Sequence, residues 1–240
     1  MKSHVRILGI AGSLRRGSYN QAALCAAKSL VPENSEIDLF PLDGIPLFNE
    51  DDEKRPPSSV VELKKRIRSA NSVLIVTPEY NYSIPGVLKN AIDWASRPHG
   101  DSAWLGKSAA IMGASPGAIG TARAQQHLRH IFVALNLFLL NTPEVVIADA
   151  AHRFNEDGKL NHEPTKRIDP GAVKEFSGLY PPNFVCTGLR SKPMIQFPLF
   201  EKHSGMRVNL QVSRAERIHK VNADPSSGPR SNVFGESEGR

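Results

Sequence analysis

Short, nearly unbroken apolar runs alternate along this chain with stretches whose apolar residues recur every three or four positions. Residues 5–10 (VRILGI) form the first such run, closed by Gly12 and Ser13, and read as a buried strand entering a tight loop. The Ala-rich stretch 20–30 has helical composition and ends at Pro32. Ile37 and Leu39 alternate with polar neighbours in a second strand, 36–39, and the proline- and acid-rich stretch 43–57 reads as loop. Val60, Leu63 and Ile67 stand at helical spacing in 60–69. The β-branched run 72–77 (SVLIVT) is what a strand covered on both faces requires. A helix over 85–96 gathers Val87, Leu88, Ala91, Ile92 and Ala95 on one face. A strand at 108–113, a long helix at 121–135 and a short strand at 144–147 complete the series. Five strands joined by crossover-length connections predict an α/β fold, a doubly wound five-stranded parallel sheet with helices on both faces.

The pattern changes after Lys166. Residues 162–166 read as the first turn of a final helix, which 167–171 (RIDPG) breaks at once. Residues 168–240 hold 7 of the 18 prolines and 7 of the 18 glycines, no period-3.6 face, and one strand-like stretch at 206–212. We therefore divide the chain into a domain at 1–167 and an irregular or disordered segment at 168–240 that replaces the usual last helix. A shifted reading frame and an appended segment with its own partner both account for such a tail. Phe176, Leu179, Tyr180, Phe184 and Val185 are its candidates for covering the sheet face left open.

Composition narrows the classes. With 240 residues, 40% apolar and 22% charged, the chain can bury a good-sized core. The net charge of +6 is spread along the chain and forms no basic tail, so nucleic-acid binding is not expected. Two cysteines, Cys25 and Cys186, cannot build a disulfide framework, and Cys25 reads as a small buried residue of the first helix. No apolar run reaches the length of a membrane span, and Arg6 interrupts a first run already too short for a signal peptide. These features predict a reduced, cytoplasmic protein.

Three loops follow strand ends, and in an open parallel sheet such loops share the edge where ligands bind. The first, 12–20 (GSLRRGSYN), offers backbone N–H groups at a helix start, the hydroxyls of Ser13 and Ser18, and the Arg15 guanidinium. Those groups suit a phosphate. A Ser-rich helix cap is an equal reading on loop chemistry alone. Neither a Walker loop nor GxGxxG is present. The second loop, 77–86 (TPEYNYSIPG), is shaped by two prolines and a glycine and carries Tyr80, Asn81 and Tyr82, a setting for a flat aromatic ligand held at its edge. The third, 113–120 (GASPGAIG), lets backbone approach a ligand closely, or is simply a tight turn.

Taken in order, GSLRRGSYN, PEYNYSIPGVLKNAIDWASRP and GASPGAIGTARAQQHLR resemble the NADPH-dependent FMN reductases, flavodoxin-like proteins that include quinone and chromate reductases. The resemblance spans about residues 4–166. It implies non-covalent FMN, with the phosphate on Ser13, Arg15, Ser18, Asn20 and Gln21. The isoalloxazine and ribityl groups would contact Pro78, Glu79, Tyr80 and Asn81, with Ser115 nearby. It implies no catalytic side chain, because flavin N5 would take hydride from NADPH and the flavin would pass two electrons to a quinone, chromate, an azo compound or free flavin. It also implies a homodimer or homotetramer, with Arg123, His127 and Glu144 at subunit contacts; a solvated helix face is the competing reading for Arg123 and His127.

A non-enzymatic electron shuttle like flavodoxin is the alternative. Flavodoxins usually carry a compact TxTGxT loop and an acidic surface, whereas this chain has an Arg-bearing loop and is basic. Metal binding at His127 and His130 lacks further ligands at suitable spacing, and Trp94 and Trp104 read as core.

Overall fold

In a computed structural model, residues 4–166 are described. Strands β1 (Val5–Ala11), β2 (Ser35–Phe40), β3 (Ser72–Val76), β4 (Ser108–Ala114), β5 (Phe138–Leu139) and β6 (Val145–Ile147) form one parallel sheet. Its order is β2-β1-β3-β4-β5, with β6 also paired to β4. Helices α1 (Tyr19–Leu30), α2 (Ser58–Ser69), α3 (Gly86–Ser96) and α4 (Ala122–Ala134) connect the strands, and the short α5 (Glu163–Lys166) ends the described chain.

The strand missing from the sequence reading is β5. Only two residues pair there, opposite Ser108 and Ala109, while β6 pairs further along the same edge opposite Met112–Ala114. Two short segments thus share the position of one strand. Two paired residues give no periodicity to read. The sheet and its helices otherwise follow the predicted pattern, and α5 matches the expected first turn at 162–166.

Two apolar layers cover the sheet. One gathers Leu63 and Ile67 of α2, Leu88, Ala91, Ile92 and Ala95 of α3, and Leu128 and Phe132 of α4 against Leu8, Ile10, Val73, Ile75, Ala109 and Ile111. The other packs Ala23 and Leu24 of α1 with Phe154 and Leu160 against Ile7, Val76, Met112 and Ile147. Each fully buried Leu, Ile or Phe stabilises by about 1.5–3 kcal/mol, so loss of any one is felt. Trp94 and Trp104 lie in this interior, and their indole N–H groups donate to Pro46 O and Ile92 O. Cys25 departs from the expectation of burial: it is exposed, because α1 turns Ala23 and Leu24 to the sheet and Cys25 away from it.

A hairpin follows β6. Phe154 pairs with Leu160, Gly158 N–H donates to Asn155 O, and Lys159 N–H donates to the Asn155 side chain. Gly158 has φ of 73°, the left-handed residue that closes such a type I turn with a bulge. The predicted irregular segment 168–240, including Phe176, Leu179, Tyr180, Phe184 and Val185, lies outside the described residues.

Candidate active site

The loops after β1, β3 and β4 are joined to one another by named bonds. Gly12 N–H donates to Val76 O (2.8 Å), and Thr77 N–H donates to Met112 O (2.9 Å). Asn20 Nδ2 donates to Ala114 O (2.8 Å), and Ala114 N–H donates back to Asn20 Oδ1 (2.9 Å). Gly113 lies where these strands converge: a Cβ there would stand 2.0 Å from Thr121 Oγ1 and 2.3 Å from Thr77 O. Only glycine fits.

In the first loop Ser18 is the N-cap of α1, its Oγ accepting from Asn20 N–H and Gln21 N–H. Ser13 Oγ accepts from Arg15 N–H, and Gln21 Nε2 donates to Ser13 O. The two serines are buried, while Arg15 is exposed. Among the described residues the N–H groups of Leu14, Arg16 and Gly17 have no acceptor, and the Arg15 guanidinium has no carboxylate partner. Unpaired donors and a free cation beside a helix start form a setting for an anion. Asn20 plays another part. Its backbone N–H donates to Ser18 Oγ and its amide exchanges two hydrogen bonds with Ala114, so it joins two loops and keeps one further amide N–H.

The second loop contains a two-residue turn. Tyr80 and Ser83 exchange backbone hydrogen bonds of 2.9 and 3.0 Å around Asn81 and Tyr82, whose φ values are 50° and 64°. Both lie in the left-handed region, as a type I′ turn demands, and a tyrosine there costs about 1–2 kcal/mol relative to glycine. The turn leaves Tyr80, Asn81 and Tyr82 exposed, while Pro78 is buried. Glu79 is turned away from the loop mouth. Its Oε2 accepts from Arg123 N–H (2.9 Å) and Ala124 N–H (3.0 Å), capping α4, and its Oε1 lies 3.4 Å from Arg123 Nη1. The carboxylate thus caps that helix from the second loop.

Arg123 also lies over the Tyr82 ring, 4.1 Å from its centroid, and His127 Nδ1 is 3.0 Å from Ser83 Oγ. Glu144 pairs with Arg129 at 3.5 Å. The three residues expected at subunit contacts therefore have partners within the chain. In the third loop Ser115 is half-buried, its N–H donating to Ile147 O and its Oγ accepting from Gly117 N–H. A cavity of about 690 Å³ lined by Phe48, Lys89, Arg97, Leu105 and Asn136 contains none of the loop residues expected to bind FMN.

Residues 5–152 match the NADPH-dependent FMN reductase family. The chain belongs to that family. An NAD(P)H-dependent FMN reductase of Pseudomonas aeruginosa is 50% identical over 169 residues, 70% of this chain and 91% of the relative. A 2-hydroxy-1,4-benzoquinone reductase of a Burkholderia species is 45% identical over 163 residues, 68% of this chain and 89% of the relative. Among solved structures, the NAD(P)H:(acceptor) oxidoreductase FerB of Paracoccus denitrificans aligns with a TM-score of 0.66 at 38% identity, covering 72% of this chain and 94% of its own. The protein is thus a flavin-dependent oxidoreductase of flavodoxin-like fold, working with FMN and NADPH. The shuttle alternative is not favoured by relatives that are reductases. Among the described residues no helix is long and apolar enough to cross a membrane.

The loops fit FMN by their chemistry: among the described residues, first-loop N–H donors without an acceptor and a guanidinium without a carboxylate partner suit a phosphate, and the exposed aromatic turn of the second loop suits a flat ring. The sequence reading expected backbone N–H donors in this loop without singling out Leu14, Arg16 and Gly17. It missed Ala114, the partner of Asn20, because a backbone partner leaves no trace in residue identity.

Proposed function

We propose that the chain holds FMN along the edge formed by loops 12–20, 77–86 and 113–120, and reduces a quinone-class acceptor with electrons from NADPH. The observation that carries this reading is the row of N–H donors at Leu14, Arg16 and Gly17 that find no acceptor among the described residues, beside an Arg15 guanidinium that has no carboxylate partner among them. They and the N-terminal dipole of α1 bind the phosphate, with Ser13 and Ser18 shaping the loop and Gln21 tying it through Ser13 O. Pro78, the backbone of Glu79, Tyr80 and Asn81 border the ring system, and Ser115 flanks it from the third loop. When bound, FMN supplies the two-electron chemistry between NADPH and the acceptor. The side chains orient that cofactor and leave one face open to substrates; none is needed as nucleophile or general base.

The quinone class is supported by relatives that act on quinones, among them the Burkholderia enzyme. We assign the reductase domain to residues 1–167, with the sequence of 168–240 standing in place of the usual last helix, and propose a cytoplasmic homodimer or homotetramer. Purified protein mixed with FMN and desalted should keep the visible flavin absorbance, which anaerobic NADPH then bleaches and a quinone restores. Loss of all flavin on desalting overturns the reading of the loops. Retained flavin that NADPH leaves unchanged favours the shuttle.

A further inference from the structure

The phosphate loop has a support that lies outside the stretch matched to the family. Arg15, the exposed cation of that loop, lies over the ring of Tyr19, 5.8 Å from its centroid. Tyr19 in turn stacks on Phe154, with ring centroids 5.8 Å apart and planes inclined by 28°. Phe154 is 6% exposed and belongs to the apolar layer under α1. It falls two residues beyond the family match, which ends at His152.

Phe154 is held from both sides. Its N–H donates to Ala150 O, and its pairing with Leu160 makes it part of the hairpin at 153–161. Asn161 N–H donates to Arg153 O, and the Arg153 side chain meets His162. Upstream, Ala150 N–H donates to Ser115 O and Asp149 N–H to Gly117 O, so the same segment is fastened to the third loop. Downstream, Gly158 passes close to Ala22 of α1. One stretch of chain therefore ties the third loop to the ring behind the first.

An arginine side chain has several rotatable bonds, and among the described residues no carboxylate fixes this one. An aromatic face below a guanidinium restricts it to a plane and a direction without neutralising it. A tyrosine at the first position of a helix would be free to turn unless something packed on its ring; Phe154 stacks on it.

We propose that Phe154 is a positioning residue for the flavin phosphate: through the Tyr19 ring it fixes the direction of the Arg15 guanidinium. This rests on the reading of loop 12–20 as the phosphate site. The chemical class selected is a phosphorylated flavin over its dephosphorylated form, because the guanidinium that the ring stack orients is a ligand for the phosphate.

The test compares the affinities of the apoprotein for FMN and for riboflavin, in the full chain, with thermal unfolding recorded beside them. Phe154→Leu keeps an apolar side chain in the core but removes the ring face, so the fold is retained while the stack is lost. Phe154→Trp retains a ring and should restore the original behaviour. We expect Phe154→Leu to weaken FMN roughly tenfold, the scale of one lost charge-assisted contact, with riboflavin affinity changed less than about twofold. Equal losses for both ligands, or no loss for FMN, would overturn the positioning role. If the unaltered protein itself binds riboflavin as tightly as FMN, the phosphate site is elsewhere and this inference falls with it.

Discussion

The side-chain amide of Asn20 and the peptide of Ala114 exchange two hydrogen bonds, 2.8 and 2.9 Å long, at the buried junction of the first and third loops. The amide extends the pattern of the sheet along β4 past the end of β3, whose last pair with β4 is Val76 opposite Met112. Asn20→Ala would leave the donor and acceptor of Ala114 unpaired, at a cost of about 2–3 kcal/mol. Asn20→Asp should be worse at neutral pH, since a carboxylate then faces the Ala114 carbonyl, and the gap should narrow in acid as that carboxylate is protonated. Denaturant unfolding at two pH values checks both. Equal stability of Asn20→Asp and the parent at neutral pH contradicts the geometry.

Glu79 caps α4 with one oxygen and meets Arg123 with the other. Glu79→Gln removes the negative charge from that helix start and should destabilise by about 1 kcal/mol. Added salt should shrink the difference, because the interaction is partly Coulombic. Thermal unfolding across a salt series measures it; a difference independent of salt would point to shape rather than charge.

Asp101 lies against Lys64 and Arg68, at 2.7 and 2.6 Å. Its carboxyl is held below the usual carboxylate range, first by the hydrogen bond from Lys64 and then by that from Arg68. A lowered folded-state pKa means that ionised Asp101 stabilises the fold above the ordinary carboxylate pKa, and that this contribution is lost as pH falls through the lowered one. The pair is well exposed on the Asp101 side, so the effect is modest, less than about 1 kcal/mol. Asp101→Asn should be less stable than the parent at neutral pH, and the two unfolding midpoints should converge in strong acid. Curves that stay parallel over the whole range would speak against the assignment.

NADPH and the acceptor are proposed to use one open face in turn, so reduction and oxidation should follow ping-pong kinetics. Double-reciprocal plots at several fixed acceptor concentrations should run parallel. Intersecting lines would require both substrates to be bound together and would contradict a single shared face.

Sequence alone carried the sheet, its helices and the three loops, because buried parallel strands need continuous apolar runs and their crossovers need periodic faces. Ser18 was legible as a cap candidate for the same reason: few residue types can satisfy the start of α1. What it could not carry were relationships in which one partner is backbone or lies far along the chain. The tie between the Asn20 amide and the peptide of Ala114, and that between the Glu79 carboxylate and the start of α4, left no trace in residue identity. Cys25 was misjudged because an Ala-rich helix hides which of its faces meets the sheet. β5 left no pattern, being two residues long.

That brevity has a consequence for how copies of the chain can meet. A long bare strand edge is a template for another strand, and natural sheets are under pressure to blunt it. Here the border beyond β4 is cut into pieces of two and three residues by the interruption between Leu139 and Val145. Neither piece is long enough to seed a ladder with a neighbour. Along this border, self-assembly has to proceed by side-chain surfaces, and the route from sheet edge to fibril is closed by the covalent path of the chain itself.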